Sequence, residues 1–302
     1  MRRLNFIFVC LLIMLCGCVI DTEIQDNEAK EEPVEEPAAG EVVEQVSVPD
    51  DLEGLLGYLF QHAADEDPVN LESGVIKLHA WFQDEDHLEI SLEGVDIARP
   101  DAEVLESLEL VEETEHVRSN SALKGVHVAT ESSHCVRKIV GFLTWSEHAS
   151  LWDSFEIYEL DFDRDPSCMI DRSCLNVTAH RKTRSNWANL ISITTEYQME
   201  FRWVDTPIGW VLIHRSWLKH PAPGDRFDFE MKANYYIGLT MPDTGSGSLR
   251  LHANWFDLDT GSVPLSESAI ASAWLQDQKA ASSRHDDMIN NNDVPGECDV
   301  AP

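Results

Sequence analysis

Residues 191–217 read ISITTEYQMEFRWVDTPIGWVLIHRSW. Tyr197, Met199, Phe201 and Trp203 occupy every second position, the period of a strand whose side chains alternate between two faces. Asp205 to Gly209 interrupts the pattern with Pro207 and Gly209, residues suited to turn geometry. Alternation resumes from Trp210 to Trp217. Two such runs around a short turn define an antiparallel hairpin, and the hairpin makes the domain β-rich.

Working outward, similar runs predict strands at Val126–Val128, Val136–Trp145, Phe155–Phe162, Leu175–Arg181, Phe227–Met241 and Leu249–Leu258. Val75–Phe82 and His87–Leu92 read as an earlier hairpin. Gly74–Phe82 echoes Gly247–Phe256, as two strands with similar duties would. Leu52, Leu55, Leu56, Leu59 and Phe60 fall at helical spacing, so Leu52–Ala64 reads as a helix capped by Asp50 or Asp51. Asp101–Glu115 reads as a short exposed helix or a loop, and Ser266 or Ser268 opens a last helix through Lys279. The expected fold class is mainly β (β-rich α+β). It is an antiparallel sandwich, barrel or curved sheet with one helix near each end, covering an edge or plugging an opening.

The N-terminus carries a different signal. Arg2-Arg3 precede an apolar run from Leu4 to Leu15, too short for a spanning helix of about 20 residues. Leu15-Cys16-Gly17-Cys18 resembles the lipobox of bacterial lipoproteins, with Cys16 in place of the usual small or hydroxylated residue. The resemblance implies cleavage before Cys18, acylation of its thiol and permanent attachment to a membrane. Val19 rather than aspartate after that cysteine implies the outer membrane. The expected organisation is a leader at 1–17, then Cys18 with an acidic tether to residue 49. A globular domain follows at 50–282, and a polar tail at 283–302. The tether is rich in Glu, Asp and Pro and has too little apolar area to fold.

Formal net charge is −33, and loss of Arg2 and Arg3 with the leader, which holds no acid, takes it to −35. Such a charge argues against nucleic acid and anionic membrane surfaces as partners. Cys10 and Cys16 leave with the leader and Cys18 is acylated, so four of the seven cysteines remain: Cys135, Cys168, Cys174 and Cys298. Disulfides persist in an oxidising envelope. Of the three connectivities four cysteines allow, Cys168–Cys174 closes a short loop and Cys135–Cys298 pins the tail.

Several motifs invite chemistry. Asp-Thr-Gly-Ser occurs at Asp243–Ser246 and at Asp259–Ser262. It is similar to the catalytic loop of pepsin-like and retroviral aspartic proteases, where two aspartates share a proton. Here only one strand separates the copies, neither is followed by the family's apolar-apolar-Gly segment, and the same residues suit strand-ending turns. Asp161, Asp163, Asp165 and Asp171 resemble the opening of a calcium loop, but Pro166 and Arg172 stand where an EF-hand needs Gly and Glu. An irregular calcium site on those four carboxylates is the only cofactor reading. His127, His134, His214 and His220 alternate as ordinary strand residues. Trp203, Trp210, Trp217 and Trp255 suit a core or rim, or stacking on a sugar or lipid. Nucleotide-binding glycine motifs and the Gly-Xaa-Ser-Xaa-Gly motif are absent.

The hairpin Glu200–Trp217 also looks like the closing strands of nuclear-transport-factor-like cone folds, which implies a curved sheet with a pocket beneath a helix. The sequence therefore reads as a membrane-anchored, non-enzymatic binding or scaffolding module for an envelope protein. The alternative is a carrier of a lipid or small apolar ligand, with a remote alternative of an aspartic protease using Asp259.

Overall fold

The computed structural model describes residues 47–84, 93–95, 97, 99–109, 123–145, 155–187, 191–243, 246–263 and 267–298. The leader, Cys18, nearly all of the tether, the run His87–Leu92 and the end of Asp101–Glu115 lie outside them. In chain order the elements are α1 (Leu52–His62), α2 (Val69–Gln83), β1 (Glu93–Val95), α3 (Ala102–Glu109), β2 (Lys124–Ser132) and α4 (Val136–Leu143). Then come β3 (Phe155–Phe162), α5 (Ser167–Ile170), β4 (Asn176–Trp187), β5 (Ile191–Thr206), β6 (Gly209–Leu218) and β7 (Ala222–Pro223). β8 (Glu230–Pro242), β9 (Ser248–Asp259) and α6 (Glu267–Asn291) complete the chain.

The hairpin of β5 and β6 forms as read, with Phe201 opposite His214 and Trp203 opposite Leu212. It sits inside one antiparallel sheet of nine strands, ordered β1-β2-β9-β8-β6-β5-β4-β3, with the short β7 beside β8. The sheet is curved and unclosed, so of the three expected shapes the curved sheet is the one found.

Helices cover both faces. On one, Leu55, Leu56, Leu59 and Phe60 of α1 and Leu71, Val75 and Leu78 of α2 pack on Ile213, Tyr235, Ile237, Leu251 and Trp255. Asp51 starts α1 by accepting the Gly54 N–H at 2.8 Å, the expected cap. On the other face α4 and part of α6 lie against Tyr197, Met199, Phe201 and Trp203. Farther along, Ala271, Trp274 and Leu275 of α6 meet Val126, Val128, Tyr236 and Phe256. The end helices thus lie over opposite faces of the sheet. No helix among the described residues is long and apolar enough to cross a membrane.

Three elements differ from the sequence reading. Val75–Phe82 is helical, because Leu71, Val75, Leu78 and Trp81 recur at helical spacing and are all buried, while Ile76 between them is exposed. Val136–Leu143 is also a helix, burying Val136, Ile139, Val140 and Leu143; a short apolar run fits either period, and burial on one side decides it. The last helix does not stop at Lys279 but runs to Asn291, followed by a buried Val294 and Cys298 bonded to Cys135. The described part of the tail, 283–298, is therefore helix and a segment tied back to α4. Gly141 of α4 lets it approach, since a Cβ there would strike the Pro295 carbonyl oxygen.

Candidate functional site

Strand alternation sends Tyr197, Met199, Phe201 and Trp203 toward α4 and α6, and the same phase continues across the sheet in polar residues. Arg181 of β4 stands opposite Tyr197, His214 of β6 opposite Phe201 and Gly238, and Gly238 opposite His252 of β9. Arg250 and Asn254 share the phase of His252. All these polar side chains are buried.

Arg181 is 0% exposed, and its guanidinium lies over the Tyr197 ring, 5.0 Å from the centroid. None of its three side-chain nitrogens has a hydrogen-bond partner among the described residues. Burial pulls its pKa down, yet a guanidinium stays protonated in proteins. An isolated buried charge costs several kcal/mol even after relaxation. The titratable groups acting on it are Tyr158, Tyr197 and Tyr236, phenols rather than carboxylates. Burial raises the pKa of Tyr197 and Tyr236 and keeps them neutral.

Arg250 is the second cation. Its Nη2 donates to His285 Nδ1 of α6 at 3.0 Å, while Nε and Nη1 have no partner among the described residues. The acid acting on it is Asp286. That carboxylate already accepts from Ser132 Oγ at 2.6 Å and from the Ser133 N–H at 3.0 Å. His214 is stacked on Phe201 at 5.4 Å and lies 4.9 Å from the Tyr236 ring. Burial, then Arg181 and Arg250, depress its pKa to about 3. His252, whose Nδ1 is 2.6 Å from the Tyr236 hydroxyl, is depressed by burial and by Arg250. Both rings are neutral at pH 7, so the site keeps the charge of its two arginines. Gly238 makes room for the His214 and Tyr236 side chains: a Cβ there would lie 2.6 Å from the tyrosine oxygen.

The opposite face shows how this chain compensates a structural arginine. Arg215, 4% exposed, ion-pairs with Glu200 and donates to the Phe60 carbonyl at 2.9 Å. Arg202 donates to the Ala63 and Asp65 carbonyls. Arg181 has no such arrangement. What this geometry can do is hold an electron-rich group inside the fold, against buried rings and beside the Arg181 guanidinium.

The residues singled out from the sequence lie elsewhere. Cys135–Cys298 and Cys168–Cys174 form the favoured disulfides, while Cys18 lies outside the described residues. Asp243 and Asp259 sit at opposite ends of twelve-residue β9, about 40 Å long at ~3.3 Å per residue, so they cannot share a proton. Asp259 instead pairs with Lys232 at 2.9 Å and accepts the Gly261 N–H, contacts that hold its carboxyl below the usual range. Asp163 accepts the Thr178 N–H, Asp165 the Ser167 N–H and Asp171 the Ser173 N–H, each ending a strand or turn. Asp161 faces solvent. Among the described residues no three His, Cys, Asp or Glu side chains converge on a metal position, at the four aspartates or around the histidines. Trp203, Trp217 and Trp255 are core residues.

Arg181, Arg250, His252 and Tyr236 were not singled out. Their legible signal was phase: each stands two residues from other members of one strand face, where a charge is unusual if that face is covered.

No family model matches the sequence, and no curated protein is similar to it. Solved structures are similar at low identity. A START-superfamily protein from Mycobacterium smegmatis is 7% identical, with 55% of this chain and 97% of that one covered and a TM-score of 0.36. Human StAR-related lipid transfer protein 5 is 10% identical, covering 62% and 92%, TM-score 0.37. The Zhui aromatase/cyclase from a Streptomyces species is 7% identical, covering 58% and 99%, TM-score 0.38. With TM-scores below 0.5 and such identities, the likeness assigns no activity to this chain.

Proposed function

We propose that this chain is a lipid-anchored envelope protein that carries a small ligand between the α6 face of its sheet and the helices above. The observation that carries the reading is the set of buried polar atoms on that face without partners among the described residues, at Arg181, His214, Ser216, Arg250 and His252. Native interiors pair such groups with protein, ordered water or a ligand. A carrier supplies the partner in its loaded state. This favours the ligand-carrier reading over a protein-partner scaffold, which would keep its recognition groups on the surface. The rings of Tyr197, Phe201 and Trp203 add an apolar surround suited to a molecule with a hydrocarbon or aromatic body.

Attachment to the outer membrane through Cys18 belongs to the same proposal. It rests on the leader and the lipobox resemblance, and two disulfides suit an oxidising compartment. Native mass spectrometry of the full chain, compared with its mass after denaturation, tests both parts. Extra mass that disappears on denaturation, on a chain that starts at an acylated Cys18, is the expected result. A bare protein that takes up no apolar compound would end the carrier reading, and an unmodified residue 18 the anchor.

A further inference from the structure

We infer that the ligand is an amphipathic anion, its acidic head seated on Arg181 and its apolar body against the aromatic row of β5. The inference rests on the carrier reading and adds the ligand's charge.

Arg181 is wholly inside the fold, all three of its nitrogens lack partners among the described residues, and the described titratable groups acting on it are phenols. Arg250 retains two unpartnered nitrogens. A neutral ligand would satisfy hydrogen bonds yet leave the charge uncompensated, whereas a carboxylate, sulfonate or phosphate satisfies both. The planar guanidinium suits two-point contact with such a head. His214 lies 4.9 Å from the Tyr236 ring, and both feel the two arginines. The buried neighbours on β5 are Tyr197, Met199, Phe201 and Trp203, side chains that suit a hydrocarbon or aromatic body better than a small hydrated ion.

The experiment compares two fluorescent probes of almost equal shape, anilinonaphthalene sulfonate and the uncharged phenylnaphthylamine, binding to the full chain. The sulfonate should bind at least about tenfold tighter, the scale of one hydrogen bond between charged groups. In Arg181→Met that advantage should vanish, with phenylnaphthylamine affinity and cooperative thermal unfolding kept; Arg181→Lys should restore part of it. Equal affinities in the wild type would overturn the charge inference and leave the carrier reading standing. A sulfonate preference that survives in Arg181→Met would place the probe elsewhere and overturn it too. Binding of neither probe would remove the carrier reading itself. Sodium sulfate displacing the aromatic sulfonate at comparable concentration, with ionic strength held constant, would reassign the site to a free inorganic anion and overturn the amphipathic half.

Discussion

Arg181 and Arg215 are both buried guanidinium groups of one sheet, on opposite faces and in opposite circumstances. Arg215 has a carboxylate and a carbonyl; Arg181 has an aromatic ring and no hydrogen-bond acceptor among the described residues. Substitution should separate them by sign. Arg181→Met should stabilise the ligand-free chain by about 1–4 kcal/mol, since it replaces a desolvated charge with packing. Arg215→Met should destabilise by about 1–3 kcal/mol, because it strands Glu200 and the Phe60 carbonyl. Urea titration of both variants measures this, and a loss of stability in both would mean that Arg181 is structural.

Asp277 of α6 is a second residue with a legible consequence. Burial pushes its carboxyl up to about 7, against an attractive contribution from Arg284. A folded pKa above the unfolded 3.8 gives stability that is complete below about pH 4 and lost as pH rises through 7. His214 runs the other way: its folded value near 3 gives stability present above 6.5 and lost as pH falls. The two slopes oppose each other in the wild type between these limits. Asp277→Asn should therefore match the wild type near pH 4 and gain on it toward pH 8, by at most about 4 kcal/mol. Melting temperatures across that range read the difference, and an offset independent of pH would contradict the assignment.

At the scale of elements, alternation revealed the strands but not what covers them. In β9, Leu251, Ala253 and Trp255 form the apolar phase and Arg250, His252 and Asn254 the polar one, a pattern that normally means core and solvent. Here the polar phase is buried as well, because α6 lies over that side. That cover was not legible, since α6 past Lys279 is a run of polar residues whose helicity comes from tertiary contacts such as Asp286 with Ser132 and Thr130 with Ser282. For α2 and α4, short apolar runs satisfied both periods. The tail that follows α6 is held by Cys135–Cys298 and by Lys138 donating to the Val294 carbonyl. Replacing both cysteines with serine should cost roughly 2–5 kcal/mol and raise amide exchange in α4 and at Val294–Glu297. Unchanged protection there would mean that packing alone holds the tail.

The whole molecule sets a negative exterior around a positive interior. With a net charge of −33, the chain as a whole repels the anions that its two buried arginines favour. Association with an anionic probe should therefore speed up as salt rises from low ionic strength, while release, governed by the screened interior, changes little. Stopped-flow rates over a salt series test this, and association that slows with salt would contradict it. The central claim is that Arg181 awaits a ligand, not a residue of this chain. The most direct measurement is a crystal structure of the protein purified without refolding, inspected at the Arg181 guanidinium. The account predicts electron density for an acidic head within hydrogen-bond distance of it, continuing into an apolar body along β5. A carboxylate of the chain itself there would contradict it.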